Sequence, residues 1–337
     1  MKISDIGEFG LIDIIESRAG RSSYPVLIGI GDDASVLDVD PRDDVVTTTD
    51  MLVEGIHFLL DKTPPADLGF KSHAVNLSDI ASMGAIPVQS FLSLGLPPGT
   101  EVSQVEEFID GFLEAGPGVQ LSGGDTVSSP SGWLISVTVI GKAPSGKVLR
   151  RDAARPGETI WLCGPVGDSA AGLALLSGQM SASDENQARF LVEKHNRPRP
   201  QMRMGRILLQ SDISRCAIDV SDGLLQDLGH ICRRSDVGAD IAVEDVPLSP
   251  QLREFARFNG ADPLRWALGG GEDYSLIFTV SPEREDLLRR ILEQEGIGAV
   301  PVGRTSEERG IRLTQGGQPF KLPEHWGYNH FRKDPHP

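Results

Sequence analysis

The apolar positions of this chain follow two rhythms. In SQVEEFIDGFLEA (103–115) they recur three and four residues apart, the spacing of one helix face, and ADLGFKSHAVNLSDIASMGA (66–85) and REDLLRRILEQEG (284–296) repeat it. In VVTTTD (45–50), SFLSLGLP (90–97) and WLISVTVIG (133–141), short apolar or alternating runs rich in β-branched residues predict strands. Both rhythms return later: TIWLCG, CAIDV and YSLIFTV read as strands, DSAAGLALLSG and PRPQMRMGRILLQ as helices.

Between these halves lies GKAPSGKVLRRDAARPGE (141–158), polar and rich in Gly, Pro and basic residues, which makes it the best linker. The boundary is placed at 142/143. Strands and helices alternate on both sides of it, so the expected fold class is α/β (α+β) with two domains. NLSDIASMGA and DVSDGLLQDLGH both set Ser-Asp at or within a helical run, an echo too short to establish duplication.

Composition adds exclusions. A chain of 337 residues with 39% hydrophobic and 24% charged residues can bury two cores. Its formal charge of −16 argues against nucleic acid, whose binders need a basic footprint, but not against an anion carried by metal ions. Cys163, Cys216 and Cys232 are too far apart for a zinc or disulfide framework and are expected as buried hydrophobes. MKISDIGEFGLIDII shows no cationic region ahead of a long apolar core and no segment is long enough to span a bilayer, so the expectation is a cytoplasmic protein without a membrane partner.

The candidate chemistry lies in acids beside glycine or small polar residues: GIGDDA (Asp32, Asp33), TTTD (Asp50), NLSD (Asp79), SGGDT (Asp125), DVSDG (Asp219, Ser221, Asp222) and GGGED (Glu272, Asp273). These loops almost lack Lys and Arg, so ordinary surface ion pairs do not account for them, whereas oxygen-ligated hard cations do. Helical spacing puts Ser72, Asn76 and Asp79 on one partly buried face. Strand alternation pairs Thr48 with Asp50 and Asp219 with Ser221, while Asp222 could cap the helix that follows it.

GIGDDA also imitates a dinucleotide fingerprint, with Asp50 at the right remove. However, SVLDVDPRDDVVTTTD predicts a hairpin around Pro41 and Arg42 where that fold needs a helix, and two carboxylates would repel pyrophosphate. There is no GxxxxGK[ST], no GxSxG and no HExxH. His57, taken alone, reads as a structural or surface histidine.

In order along the chain, GIGDDASVL, TTTDMLVEGIHF, AVNLSDIASMGAIP, SGGDT, AIDVSDGLLQDLGHI, GGGEDYSLIFTV and GYNHF resemble the thiamine-monophosphate kinases, within the aminoimidazole ribonucleotide synthetase-like superfamily. The resemblance implies a mixed-sheet N-terminal domain that pairs in a homodimer, a C-terminal α/β domain completing an acidic cleft, and γ-phosphoryl transfer from ATP to thiamine monophosphate. It implies Mg²⁺ ligands Asp33, Thr48, Thr49, Asp50, Asp79, Asp125, Asp219 and Asp222, several ions per site, with K⁺ as a candidate companion. Gly124, Asp125, Arg151 and Ser221 match positions that contact ATP; His57, Glu272 and Tyr328 match positions that contact the thiamine substrate. Asp79, Asp219 and Arg151 are the expected catalytic set.

One departure stands out: Gly116 and Pro117 lie near the place where the family often carries an aromatic against adenine, so base stacking is expected to differ. The acceptor is a phosphate oxygen already ionised near neutral pH, which accounts for the missing general base; positioning and electrostatics are left to do the catalysis. The rival readings are another ATP-dependent enzyme of the superfamily, such as aminoimidazole ribonucleotide synthetase, and a non-catalytic acidic protein that binds divalent cations. The absence of cysteine from residues 1 to 20 and the final FRKDPHP disfavour selenophosphate synthetase and hydrogenase-maturation relatives.

Overall fold

The computed structural model describes residues 1–30, 34–321 and Gly327. The chain divides into two compact units, Met1–Val148 with Asn196–Arg206, and Leu149–His195 with Ile207–Pro337. The junction at Val148–Leu149 falls inside the Gly- and Pro-rich stretch 141–158, and the first unit also takes a later segment, Asn196–Arg206.

The first unit contains α1 (Ile3–Ala19), β1 (Val26–Ile28), β2 (Val36–Leu37), β3 (Asp43–Val53), α2 (Pro65–Ser82), β4 (Ile86–Leu96), α3 (Val102–Ala115), β5 (Gln120–Ser128) and β6 (Leu134–Pro144). Its main sheet has the order β3-β6-β4-β5, antiparallel except for the parallel β4/β5 pair. The apolar stripe of α3 is realised as Val102, Val105, Phe108, Ile109 and Phe112, all buried. α2 and α3 cross with almost no separation: a Cβ on Gly69 would meet the Phe108 carbonyl oxygen at 1.9 Å, and one on Gly111 the Ala66 oxygen at 1.8 Å. Only glycine permits that approach.

The hairpin expected around Pro41 and Arg42 does not form. A turn closes there, with Asp43 N–H donating to the Asp40 carbonyl at 2.9 Å, but β2 pairs with β1 and β3 pairs with β6. The turn therefore hands the chain from one sheet to another.

One face of the main sheet carries Leu92, Leu94, Ile135, Val137 and Val139, which are buried. On the opposite face the register sets Val45 and Met51 of β3, Leu134 of β6, Ile86 of β4 and Val127 of β5 together, and these stay exposed, Met51 at 60% and Val127 at 56%. Antiparallel sheets commonly leave one face to solvent, but that face is then usually polar, and here five apolar side chains lie on it.

The second unit contains β7 (Thr159–Cys163), α4 (Asp168–Leu176), α5 (Glu185–Asn196), the end of α6 (Met202–Gln210), β8 (Ala217–Asp219), α7 (Leu224–Ser235), β9 (Gly238–Ala242), α8 (Pro250–Asn259), α9 (Leu264–Gly269), β10 (Leu276–Val280), α10 (Glu285–Glu295), β11 (Ala299–Ser306), β12 (Gly310–Gln315) and β13 (Gln318–Phe320). Its sheet runs β13-β12-β9-β11-β7-β10-β8, antiparallel but for β12/β9. Ile160 and Leu162 of β7, Ile218 of β8, Ile277 of β10 and Leu225, Leu228 and Ile231 of α7 share one core. The three cysteines are buried thiols rather than disulfides, and burial pushes them up to about 12 (Cys163, Cys216) and about 11 (Cys232), so none is a poised nucleophile. Among the described residues no helix is long and apolar enough to cross a membrane.

Candidate functional site

In the first unit, β3 and α2 bring three of the expected residues together. Thr48 and Asp50 point to the same side of β3, where the Thr48 hydroxyl donates to Asp79 Oδ2 at 2.5 Å. Burial, and then the negative charge of Asp79, push the Asp50 carboxyl up to about 6. Two carboxylates with a hydroxyl, all oxygen donors, one of them strained by its neighbour's charge, form a set that a hard cation would relieve.

Thr49 does not join this set. Alternation turns it to the open face, where its hydroxyl donates to the Val137 carbonyl at 3.1 Å and accepts from Thr138 Oγ1 at 3.0 Å. The polar face expected on α2 also divides. Ser72 Oγ donates to the Leu68 carbonyl and Asn76 Nδ2 to the Ser72 carbonyl, so both side chains, fully buried, fold back on their own helix. Asp79 alone of the three reaches β3.

Asp50 and Asp125 lie inside strands β3 and β5 rather than at element ends. Asp125 is exposed, and its Oδ1 accepts the N–H of Thr126 at 2.8 Å. Gly124 beside it has φ +154, and a Cβ there would stand 1.7 Å from the Leu92 carbonyl oxygen. Close passage of β4 therefore dictates glycine at 124. His57 folds onto the end of β3: the Val53 N–H donates to its Nδ1 at 3.0 Å, which leaves the proton of the neutral ring on Nε2.

The unusual Gly116 has a cause in the same unit. A Cβ there would meet the His73 ring at 2.4 Å, and His73 is fully buried, stacked on Phe112 and bonded through Nδ1 to the Phe112 carbonyl. Position 116 is thus closed to any side chain by the His73 ring from α2.

In the second unit, Asp219 ends β8 and is buried, and Ser221 and Asp222 form the loop into α7. Asp222 does not cap α7 as expected. Asp227, one turn into the helix, reaches back and accepts the N–H groups of Ser221, Asp222 and Gly223 at 3.0, 3.0 and 3.1 Å, while Asp222 Oδ2 accepts from Gln226. Burial, then Asp219 and Asp222, push the Asp227 carboxyl up to about 8 against those bonds.

Ligand atoms of Asp222, Asp227 and His230 lie within 4.8 Å of one another, a grouping able to hold a cation. Asp227 and His230 escaped the sequence reading, although the spacing in DGLLQDLGH puts them three apart on one helix face. Arg151 is exposed, its carbonyl accepts from Ser235 Oγ, and its charge helps to lower the His230 pKa, after burial and Arg233.

The GGGED loop is pressed onto this one. A Cβ on Gly271 would meet the Ser221 carbonyl oxygen at 2.4 Å, and one on Gly270 the Trp266 oxygen at 2.5 Å. Glu272 donates its N–H to Ser221 O at 2.8 Å and is held at φ +63, a conformation costly for a residue with a side chain. Its neighbour Asp273 accepts from the N–H groups of Gly167 and Ser169 at the start of α4, at 2.7 and 3.1 Å. Burial pushes that carboxyl up to about 8, with Asp168 and Glu272 adding to the shift and the two N–H bonds opposing it. Asp33 and Tyr328 lie outside the described residues.

Two family models cover most of the chain, AIR synthase related protein, N-terminal domain, over residues 31–143, and AIR synthase related protein, C-terminal domain, over 155–316. These matches place it among the two-domain AIR synthase related proteins. It is 40% identical over 329 residues to the thiamine-monophosphate kinase of Salmonella typhimurium, covering 96% of this chain and 98% of that one. The crystal structure of the Stenotrophomonas maltophilia thiamine-monophosphate kinase superposes with a TM-score of 0.81 at 36% identity, over 93% of this chain and 98% of that one. A structure of AaThiL complexed with AMPPCP and TMP gives 0.77 at 33% identity, over 98% and 99%. The chain belongs to the thiamine-monophosphate kinase family.

Proposed function

We propose that this protein transfers the γ-phosphoryl group of ATP to the phosphate of thiamine monophosphate, releasing thiamine diphosphate and ADP. The observation that carries this reading is the near full-length likeness to the complex with AMPPCP, a non-hydrolysable ATP analogue, and TMP. Residues 1–142 bind ATP and Mg²⁺ and dimerise; residues 143–337 contribute Arg151, Asp219, Ser221, Asp222 and Glu272.

In the first unit Thr48, Asp50 and Asp79 hold Mg²⁺, and in the second Asp219 and Asp222 serve as metal ligands; the oxygen-only donors and the mutual repulsion of Asp50 and Asp79 fit that ion. Asp125, which the register sets on the opposite face of the sheet from Thr48 and Asp50, would hold a separate ion. Thr49 takes part only if its side chain leaves its bonds to Val137 and Thr138 or its carbonyl serves instead. Bound there, Mg²⁺ would neutralise the phosphates and stabilise charge in the transferring group. Gly124, kept a glycine by β4, meets the nucleotide through its backbone, while Ser221 offers a hydroxyl and Arg151 a further cation. His57 and Glu272 meet the thiamine part, which is itself a cation. No general base is required, since the attacking phosphate oxygen is already ionised; the protein's task is alignment.

The dimer is the second part of the proposal. The open face with Val45, Met51, Ile86, Val127 and Leu134 is apolar enough to pair with its counterpart on a second copy. Met51→Arg should turn a dimer into a monomer by light scattering. For the activity, ADP formation from ATP is measured with and without thiamine monophosphate, in Mg²⁺ with and without K⁺. Turnover that ignores the acceptor would overturn the kinase reading.

A further inference from the structure

The second unit contains a buried histidine for which the reaction as described has no use. His195, near the end of α5, is 4% exposed, yet its Nδ1 lies 3.3 Å from Glu272 Oε2 and 3.1 Å from Ser169 Oγ. Ser169 Oγ is hydrogen-bonded to Nδ1, and with a proton on that nitrogen the Glu272 carboxylate 3.3 Å away is an attractive neighbour.

The surroundings fix each member. A Cβ on Gly172 of α4 would stand 2.2 Å from the Leu191 carbonyl oxygen and 3.0 Å from His195 Cβ, so α4 and α5 pack backbone to backbone and bring Ser169 to the ring. Asp273 holds the Ser169 N–H, and the Ser221 carbonyl holds the Glu272 N–H. Glu272 is thus anchored at its backbone in a left-handed conformation and at its carboxylate by a buried ring. A surface carboxylate that merely repelled its acidic neighbours would need neither anchor.

We propose that His195 is a positioning residue for substrate recognition: from α5, braced by Ser169, it aims the Glu272 carboxylate at the cationic thiamine part of the acceptor. This rests on the reading of Glu272 as a substrate contact. The role is one of orientation: a free glutamate side chain would lose rotamer freedom on meeting the substrate, and the His195 bond makes that loss beforehand.

The test compares His195→Ala, His195→Asn, Ser169→Ala and Glu272→Ala by steady-state kinetics, with thermal unfolding as the control for folding. The amide of His195→Asn can replace the Nδ1 proton, so that variant should keep an acceptor KM near the parent value. His195→Ala should raise the acceptor KM about ten-fold, the scale of one charge-assisted hydrogen bond, with the KM for ATP unchanged. Ser169→Ala, a smaller change, should raise the same KM in the same direction. Combining His195→Ala with Glu272→Ala should add nothing to Glu272→Ala alone.

An acceptor KM unchanged in folded His195→Ala, or raised equally by His195→Asn, would overturn the positioning role while Glu272→Ala still raised it. If Glu272→Ala itself left the acceptor KM unchanged, the reading of Glu272 as a substrate contact would fall instead. Should His195→Ala not fold, the Ser169→Ala and His195→Asn results decide.

Discussion

Gly271 lies so close to Ser221 that a Cβ built on it would stand 2.4 Å from the Ser221 carbonyl oxygen, with the Asp222 backbone at 3.2 Å. Because the neighbour is backbone, it cannot swing aside as a flexible side chain would. Gly271→Ala should therefore cost about 1–3 kcal/mol by urea unfolding, the usual range for overpacking. A variant as stable as the parent would mean that the two loops are not locked together.

Asp79→Asn separates charge from shape. The amide oxygen still accepts from Thr48, but the negative charge that helps to raise the Asp50 pKa is gone. Without Mg²⁺ the variant should unfold at a higher temperature than the parent, and Mg²⁺ should stabilise it less. Turnover at limiting Mg²⁺ should fall by ~10²-fold or more, the scale of losing one preorganised electrostatic contact. Asp219→Asn should show the same loss of turnover. Full activity in either variant would remove that residue from the metal set.

Gly116→Ala tests the closed wall beside α3. The added methyl would meet the His73 ring at 2.4 Å, and that ring is held by stacking on Phe112 and by its bond to the Phe112 carbonyl. Destabilisation of about 1–3 kcal/mol is expected, and Gly116→Ala should cost less in a His73→Ala background, where the obstacle is gone. Equal costs in both backgrounds would show that the ring is not the obstacle.

Which parts of this molecule can be read without coordinates depends on how local their cause is. The α3 stripe was legible because one helix face decides it, and Thr48 with Asp50 because strand alternation puts them on one side. The capping role assigned to Asp222 was not: the turn into α7 curls until Asp227 reaches three N–H groups, and loop curvature has no periodic signature. The pairing of β3 with β6 rather than β2 was hidden for a related reason, since a Pro-containing turn marks a change of direction but not the sheet that receives the next strand. His195 stayed invisible because its partners come from α4 and the GGGED loop, which only the packed unit brings together.

The buried His73 makes stability depend on pH in a defined direction. Burial lowers its pKa from 6.5 to about 4, partly offset by the bond to the Phe112 carbonyl. The unfolded chain therefore binds a proton between these values that the folded chain refuses. Stability from this group is complete above about pH 6.5 and is lost as the pH falls towards 4. At pH 5 the loss should be roughly 2 kcal/mol, from 1.36 kcal/mol for each pH unit below the unfolded pKa. His73→Phe keeps the stacked ring but cannot be protonated. Its urea-unfolding free energy should fall less steeply between pH 7 and pH 5 than that of the parent, even though leaving the Phe112 carbonyl without its partner makes it less stable at pH 7. Identical slopes for the two proteins would mean that His73 is not the group that refuses the proton.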